Sequence, residues 1–207
     1  MAQGPREACG IVGVYAPGHD VARLAFFGLF SLQHRGQESA GIATSDGERL
    51  YNHTSMGLVN QAFHEFDLKR LPGSLAIGHT RYSTTGSTRI ENAQPFLVRG
   101  SHGELALGHN GNVINAGPLR RELQAEWGCQ FTSSTDSEVI AHLLANAPGQ
   151  EWGERVAYLH RRVQGAYCLV VLLRDAILAI RDPIGVRPLC LGRLDGGWVV
   201  ASESCAL

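Results

Sequence analysis

Ala166–Leu173 is an unbroken apolar run of eight residues that stops at Arg174-Asp175, and a second strand-like segment, Ala176–Arg181, follows at once. Eight residues fall far short of the roughly 20 that a membrane-spanning helix needs. Bounded by a turn signal, they predict a strand buried on both faces and joined by a tight hairpin to the segment after it. A fold that holds such a strand must cover both sides of a sheet. Strand patterns recur at Gly10–Tyr15, Gly41–Thr44, Arg49–His53, Leu75–Gly78, Leu105–His109, Leu189–Gly192 and Trp198–Ser202, and Asp195-Gly196-Gly197 predicts another hairpin. Helical spacing is sparser. Val21, Leu24, Ala25, Gly28 and Leu32 share one face, with Asp20 placed to cap. Val139, Ile140, Leu143, Leu144 and Ala147 share another, and Thr135 with Glu138 forms a capping-box signal. Pro118–Glu126 and Trp152–Val163 show the same spacing less regularly. Many hairpin-joined strands with few helices define an α+β class, antiparallel sheets covered by helices.

Charge and cysteine content narrow the function. With 18 basic and 19 acidic residues and no block of like charge, the chain presents no nucleic-acid or anionic-membrane surface. Met1–Ala8 contains Pro5, Arg6 and Glu7 and lacks an apolar core, so it is not a secretory signal. Five irregularly spaced cysteines argue against a disulfide framework and for a reducing, cytoplasmic setting. No Cys-x-x-Cys pair is present, which argues against a structural zinc.

Four runs read as too polar and too glycine-punctuated for a core: His34–Gly41, Gly78–Gly86, His109–Asn112 and Ser134–Glu138. Each falls at a predicted element end, where scaffolds present reactive groups. Taken singly, each has an ordinary reading. Asn110-Gly111 fits a type I′ turn, Asp136 an N-cap, Arg35 a surface or helix-end charge, and Cys9 a small buried apolar residue. Taken together they suit an α-amino acid bearing a side-chain amide, most simply glutamine. Arg81 offers a bidentate cation for its carboxylate, and Asp136 an anion for its ammonium. Cys9 offers a nucleophile, and the Asn110 amide with the Gly111 N–H an oxyanion hole. If Met1–Ala8 were removed, Cys9 would carry its own base, an α-amine titrating near roughly 7.7–8.0 beside the thiol.

Cys9–Gly13, Leu32–Gly41, Gly78–Thr84, Asn92–Phe96, His109–Asn112 and Thr135–Glu138 occur in one chain in this order. This series resembles the glutaminase domain of class II glutamine amidotransferases, members of the N-terminal-nucleophile hydrolases. The runs Gln33–Gln37, Asn92–Phe96 and Asp182–Leu189 resemble the branch that passes ammonia to phosphoribosyl pyrophosphate in purine synthesis. The resemblance extends from Cys9 to Leu207. It implies a four-layer αββα sandwich and a γ-glutamyl thioester on Cys9. It also implies an oxyanion hole at Asn110 and Gly111, a carboxylate clamp at Arg81 with Thr84, an α-amino partner at Asp136, and a loop at Arg35-Gly36 that closes over glutamine.

The resemblance further implies that residues 1–8 are a propeptide and 9–207 the glutaminase domain. It implies that a phosphoribosyltransferase domain, absent here, supplies magnesium and the acceptor, and that the full-length protein is a homo-oligomer. No cofactor is expected in this chain. The iron–sulfur cluster of the leader-bearing subfamily is expected to take its ligands largely from beyond it, leaving Cys129, Cys168, Cys190 and Cys205 as core or surface residues. Other readings remain open at this stage: a non-catalytic glutamine-binding module, another class II glutaminase domain, or a metallohydrolase using His34, His79 or His109.

Overall fold

A computed structural model of the chain describes residues 9–82 and 89–207. Its elements run β1 (Gly10–Tyr15), α1 (Val21–Ser31), β2 (Ser39–Ser45), β3 (Leu50–Met56), α2 (Val59–Ala62), α3 (Glu65–Lys69), β4 (Leu75–Arg81), β5 (Phe96–Gly100), β6 (Gly103–Val113), α4 (Ala116–Trp127), α5 (Asp136–Ala145), α6 (Trp152–Arg162), β7 (Gly165–Leu172), β8 (Ile177–Arg181), β9 (Cys190–Leu194) and β10 (Gly197–Ala201). The strands form two antiparallel sheets, ordered β3-β2-β4-β1-β10-β9 and β5-β6-β7-β8.

Three apolar layers hold these sheets together. Val12, Val14, Ile42 and Ala76 of the first sheet pack on Ala25 and Leu29 of α1. Leu105, Leu107, Leu169 and Val171 of the second pack on Ile140, Leu143 and Leu144 of α5. Between the sheets lie Ile11, Ile77, Ala106, Val170, Leu172 and Val200. The result is a four-layer αββα sandwich. Period-two alternation explains how one strand feeds two layers: odd-numbered residues of β1 face the other sheet and even-numbered residues face α1. Each fully buried Leu or Ile side chain contributes about 1.5–3 kcal/mol.

Helix starts follow local chemistry. Asp20 caps α1 by accepting the Arg23 N–H at 3.0 Å. At α5 the cap is Thr135, whose Oγ1 accepts the Glu138 N–H at 3.4 Å, so Asp136 is the first helical residue rather than the N-cap. The capping-box expectation fails on its second half. The Glu138 carboxylate turns instead to the N–H and hydroxyl groups of Thr132 and Ser133, at 2.7–2.9 Å.

Other expectations shift for tertiary reasons. The run Leu75–Gly78 continues as strand to Arg81, and Leu105–His109 continues to Val113. Asn110 and Gly111 are therefore not a turn, since they pair with Cys168 and Tyr167. Nor are the polar runs outside the core: His79, Thr80, Arg81, His109 and Asn110 are all buried, because their strands are covered on both faces. The strand expected at Leu189–Gly192 lies at Cys190–Leu194. β5 escaped notice although Phe96 and Val98 alternate inward, because exposed Leu97 blurs the pattern. α2 and α3, at four and five residues, are too short to show a helical period.

Candidate active site

Cys9 immediately precedes β1. Ile11 and Gly13 of that strand face the second sheet, so Cys9 projects into the same inter-sheet space at its end. Its thiol donates to the Tyr82 carbonyl at 3.6 Å and accepts the Tyr82 N–H at 3.5 Å. Burial pushes the thiol above its ordinary titration range. The Tyr82 backbone and the positive Arg81 oppose this, and the negative Asp136 reinforces it. Arg81 and Asp136 thus both act on this sulfur, and a thiol held protonated needs a nearby base to attack anything.

Across the gap stands Asn110. Ala106 of β6 belongs to the inter-sheet core, and Asn110, four residues on, projects into the same layer. The residue is fully buried, yet neither its side-chain oxygen nor its nitrogen has a hydrogen-bond partner among the described residues. An unsatisfied buried amide costs about 1–3 kcal/mol per group, so such a side chain marks a place prepared for something else. Gly111 is required by the packing around it. A Cβ there would lie 2.1 Å from the Ala166 carbonyl oxygen and 2.7 Å from His109 Nε2, so its bareness makes room for the neighbouring strand and the histidine ring. Gly111→Ala is expected to cost about 2–3 kcal/mol through overpacking. In a chain of this length that is a fall of roughly 4–12 °C in Tm, and a shift under about 2 °C in a thermal melt would show that β6 and β7 separate easily.

Charged groups frame the pair. Arg81, at the end of β4, is buried and ion-paired with Glu38, whose N–H in turn donates to the Arg81 carbonyl at 3.1 Å. A substrate carboxylate arriving here would share the guanidinium with Glu38, which its five donors permit. Asp136 Oδ2 accepts the Val113 N–H at 2.8 Å, and Oδ1 lies 3.8 Å from His109 Nδ1. His109 Nδ1 is 2.9 Å from Ser137 Oγ, which also accepts from Gln94 Nε2 at 3.0 Å, and Gln94 Oε1 accepts the His109 N–H at 2.8 Å. This buried knot ties α5 to the strand that carries Asn110.

His79 joins the sheets at the same end. Its Nε2 lies 3.0 Å from the His109 carbonyl, which can only accept, so Nε2 carries the proton. Burial lowers His79 to about 3 and lowers His109 as well, so both rings are neutral near pH 7. Between about 3 and the ordinary 6.5, the unfolded chain binds a proton at His79 that the folded chain refuses. Stability therefore falls as pH drops through this window, by about 1.4 kcal/mol per unit. From pH 7 to pH 5 the loss from His79 is about 2 kcal/mol. His109, His142 and His160, all held low chiefly by burial, act in the same direction. Urea titrations at the two pH values measure it, and a loss under about 0.5 kcal/mol would contradict a buried neutral His79.

Arg35 and Gly36 close the remaining side. They follow α1 through a 3-10 turn, Gln33–Arg35. A Cβ on Gly36 would meet the Arg81 and Thr80 backbone at 2.7 Å, so the turn lies directly on β4. Arg35 Nε donates to the Cys9 carbonyl at 3.1 Å, and its guanidinium is ion-paired with Glu203. Thr84 lies outside the described residues, as does Met1–Ala8. Among the described residues no group of three or more His, Cys, Asp or Glu side chains is placed to hold a metal, and no helix is long and apolar enough to cross a membrane. Glu38, Gln94, Ser137 and Glu203 were not singled out from sequence. Glu38 and Gln94 sit inside motif runs already noted, whereas Glu203 carries no local signal and is found only through its long-range pairing.

An αββα sandwich with a cysteine at one end of the inter-sheet layer is the architecture of the N-terminal-nucleophile hydrolases. A family model described as a glutamine amidotransferase domain matches residues 79–207, and the chain belongs to that family. It is 51% identical to an amidophosphoribosyltransferase of Synechococcus elongatus, over 98% of this chain and 42% of that protein. It is 49% identical to one of Mycobacterium tuberculosis, over 98% of this chain and 40% of that protein. Among solved structures it matches a glutamine phosphoribosylpyrophosphate amidotransferase from B. subtilis, complexed with ADP and GMP, with a TM-score of 0.86 and 39% identity, over 96% of this chain and 42% of that one. A second, an allosteric regulatory enzyme of purine biosynthesis, gives a TM-score of 0.88 at 40% identity, again over 96% of this chain and 42% of that one. The chain spans about two fifths of the length of these relatives.

Proposed function

We propose that residues 9–207 are the glutaminase half of an amidophosphoribosyltransferase and that Met1–Ala8 is a removable leader. The observation that carries this reading is the fully buried, unpartnered Asn110 amide on the same inter-sheet layer as the Cys9 thiol. In the processed chain the Cys9 α-amine takes the thiol proton. The thiolate attacks the side-chain carbonyl carbon of glutamine, and the Asn110 amide with the Gly111 N–H receives the developing oxyanion. Collapse breaks the C–N bond, the amine returns its proton to the departing ammonia, and a γ-glutamyl thioester remains on Sγ. Water, deprotonated by the same amine, then releases glutamate and restores the thiol. Arg81, with Thr84, holds the substrate carboxylate, and Asp136 holds its ammonium. Arg35-Gly36 borders the entrance.

Leader removal follows from the same thiol. Attack on the Ala8 carbonyl moves the acyl group from nitrogen to sulfur, which frees the amine, and hydrolysis of that thioester releases the leader as a carboxylate and restores the thiol. The acceptor would be phosphoribosyl pyrophosphate, bound with magnesium by a further domain, in a cytoplasmic homo-oligomer of the whole protein. Alone, this chain is expected to hydrolyse glutamine slowly and without coupling.

The test is incubation with a diazo-ketone analogue of glutamine, followed by peptide mapping. An adduct on Cys9 as the first residue of its peptide supports processing, recognition and nucleophile together. A trimmed Cys9 that stays unmodified, while the chain still binds glutamine, would point to a non-catalytic binding module instead.

A further inference from the structure

Glu203 stands just beyond β10, in the segment that leads into the 3-10 turn Ser204–Ala206. Its carboxylate bridges two residues near the opposite end of the chain. One oxygen pairs with Arg35 Nη1, and the other lies 2.9 Å from His34 Nε2. The Cys205 thiol also donates to that second oxygen, at 3.7 Å. The same Arg35 guanidinium, its side chain only 12% exposed, donates through Nε to the Cys9 carbonyl at 3.1 Å. Glu203 is itself pinned beside β1, because Ser202 N–H donates to the Ile11 carbonyl and Ser202 Oγ accepts the Ile11 N–H, both at 3.0 Å. An unbroken chain of polar contacts therefore runs from the last strand through Glu203 and Arg35 to the backbone of residue 9.

The need for such a chain is physical. Once residues 1–8 are gone, residue 9 is tethered covalently only through its own carbonyl carbon. Holding that carbonyl fixes the Cys9–Gly10 peptide plane and with it the position of Cα; the thiol's two contacts with the Tyr82 backbone then restrain the rotation about Cα–C that is left. Arg35 alone is a long side chain with rotamer freedom to lose. An acid on its outer nitrogens removes that freedom, because the planar guanidinium is oriented by one contact for the next.

We infer that Glu203 is a positioning residue: it holds Arg35 on the Cys9 carbonyl and so sets the orientation of the nucleophile. This rests on the reading of Cys9 as nucleophile given above. The carboxylate touches no reacting atom, so its loss is expected in kcat and in thiol reactivity, with little change in glutamine affinity.

The experiment compares Glu203→Ala and Glu203→Gln with the parent chain in two assays. The first is glutamine hydrolysis. The second is alkylation by iodoacetamide, followed on each cysteine peptide by mass spectrometry. Glu203→Ala is expected to lower kcat about tenfold or more, since small misplacements of reacting groups are costly, with KM within about twofold. It is also expected to speed alkylation of Cys9 by about threefold or more, as the half-buried thiol is released from its two contacts with the Tyr82 backbone. Buried Cys168 stays protected and reports that the fold is intact. Glu203→Gln keeps an acceptor for Arg35 and is expected to recover to within about threefold of the parent.

Cys9 alkylation and kcat both unchanged in Glu203→Ala would overturn the inference. If the parent hydrolyses no glutamine, the glutaminase reading fails, and alkylation still decides this one: faster Cys9 modification with Cys168 protected supports it, and unchanged modification overturns it. If Glu203→Ala loses Cys168 protection, Arg35→Lys takes its place. An ammonium lacks the guanidinium's fixed planar fork and cannot reproduce its two contacts in the same geometry, so faster Cys9 alkylation with Cys168 protected is expected and its absence overturns the inference.

Discussion

Cys9→Ala, in a chain trimmed to begin at position 9, is expected to abolish glutamine hydrolysis, by roughly 10⁴-fold or more, the scale of removing a covalent nucleophile. The reason is particular to this site. The thiol feels the charges of both Arg81 and Asp136, so it stands within reach of a substrate that those two would hold. Alanine removes it without disturbing the strand, because the Arg35 contact is to the backbone carbonyl of residue 9. Glutamine affinity, measured by calorimetry, should therefore stay within about threefold, since both charges proposed to hold the substrate are kept. In the untrimmed chain the same substitution should leave Met1–Ala8 attached, because the thiol that would start the acyl shift is gone. Residual hydrolysis within about tenfold of the parent would mean that another group performs the attack.

Asn110→Ala is expected to lower kcat by about 10²–10³-fold with KM changed little, the usual result of removing one oxyanion-hole donor. The structure makes this a strong case. The amide is wholly buried and has no partner among the described residues, so truncation breaks no hydrogen bond to them. Deleting an unsatisfied amide should even leave stability unchanged or raise it slightly. A drop in activity with no drop in Tm is thus the diagnostic pair. A large loss of stability with unchanged kcat would make Asn110 a structural residue and would remove the observation on which the glutaminase reading rests. The substitution also separates the two proposed oxyanion donors, because the Gly111 N–H remains.

Much of this was legible from residues alone, and the parts that were not share a cause. Period-two alternation and the turn signals at Arg174-Asp175 and Asp195-Gly196 report local conformation, and both hairpins are present. Asp20 and Thr135 report local hydrogen bonding, and each caps its helix. Polarity, in contrast, misled at His79–Arg81 and His109–Asn110. Those residues read as outside the core because their partners lie on other elements: the His109 carbonyl for His79, Glu38 for Arg81, and Ser137 for His109. Sequence distance hides such pairings, since nothing near Glu203 announces that Arg35 awaits it.

What the sequence by itself determined was the set of chemical groups and the alternation that sends Cys9 and Asn110 toward a common layer. Tertiary structure alone decided what each group faces. Burial between two sheets raises the Cys9 thiol, strips Asn110 of partners and keeps His79 neutral, because desolvation and long-range contacts exist only once the two sheets have closed on each other.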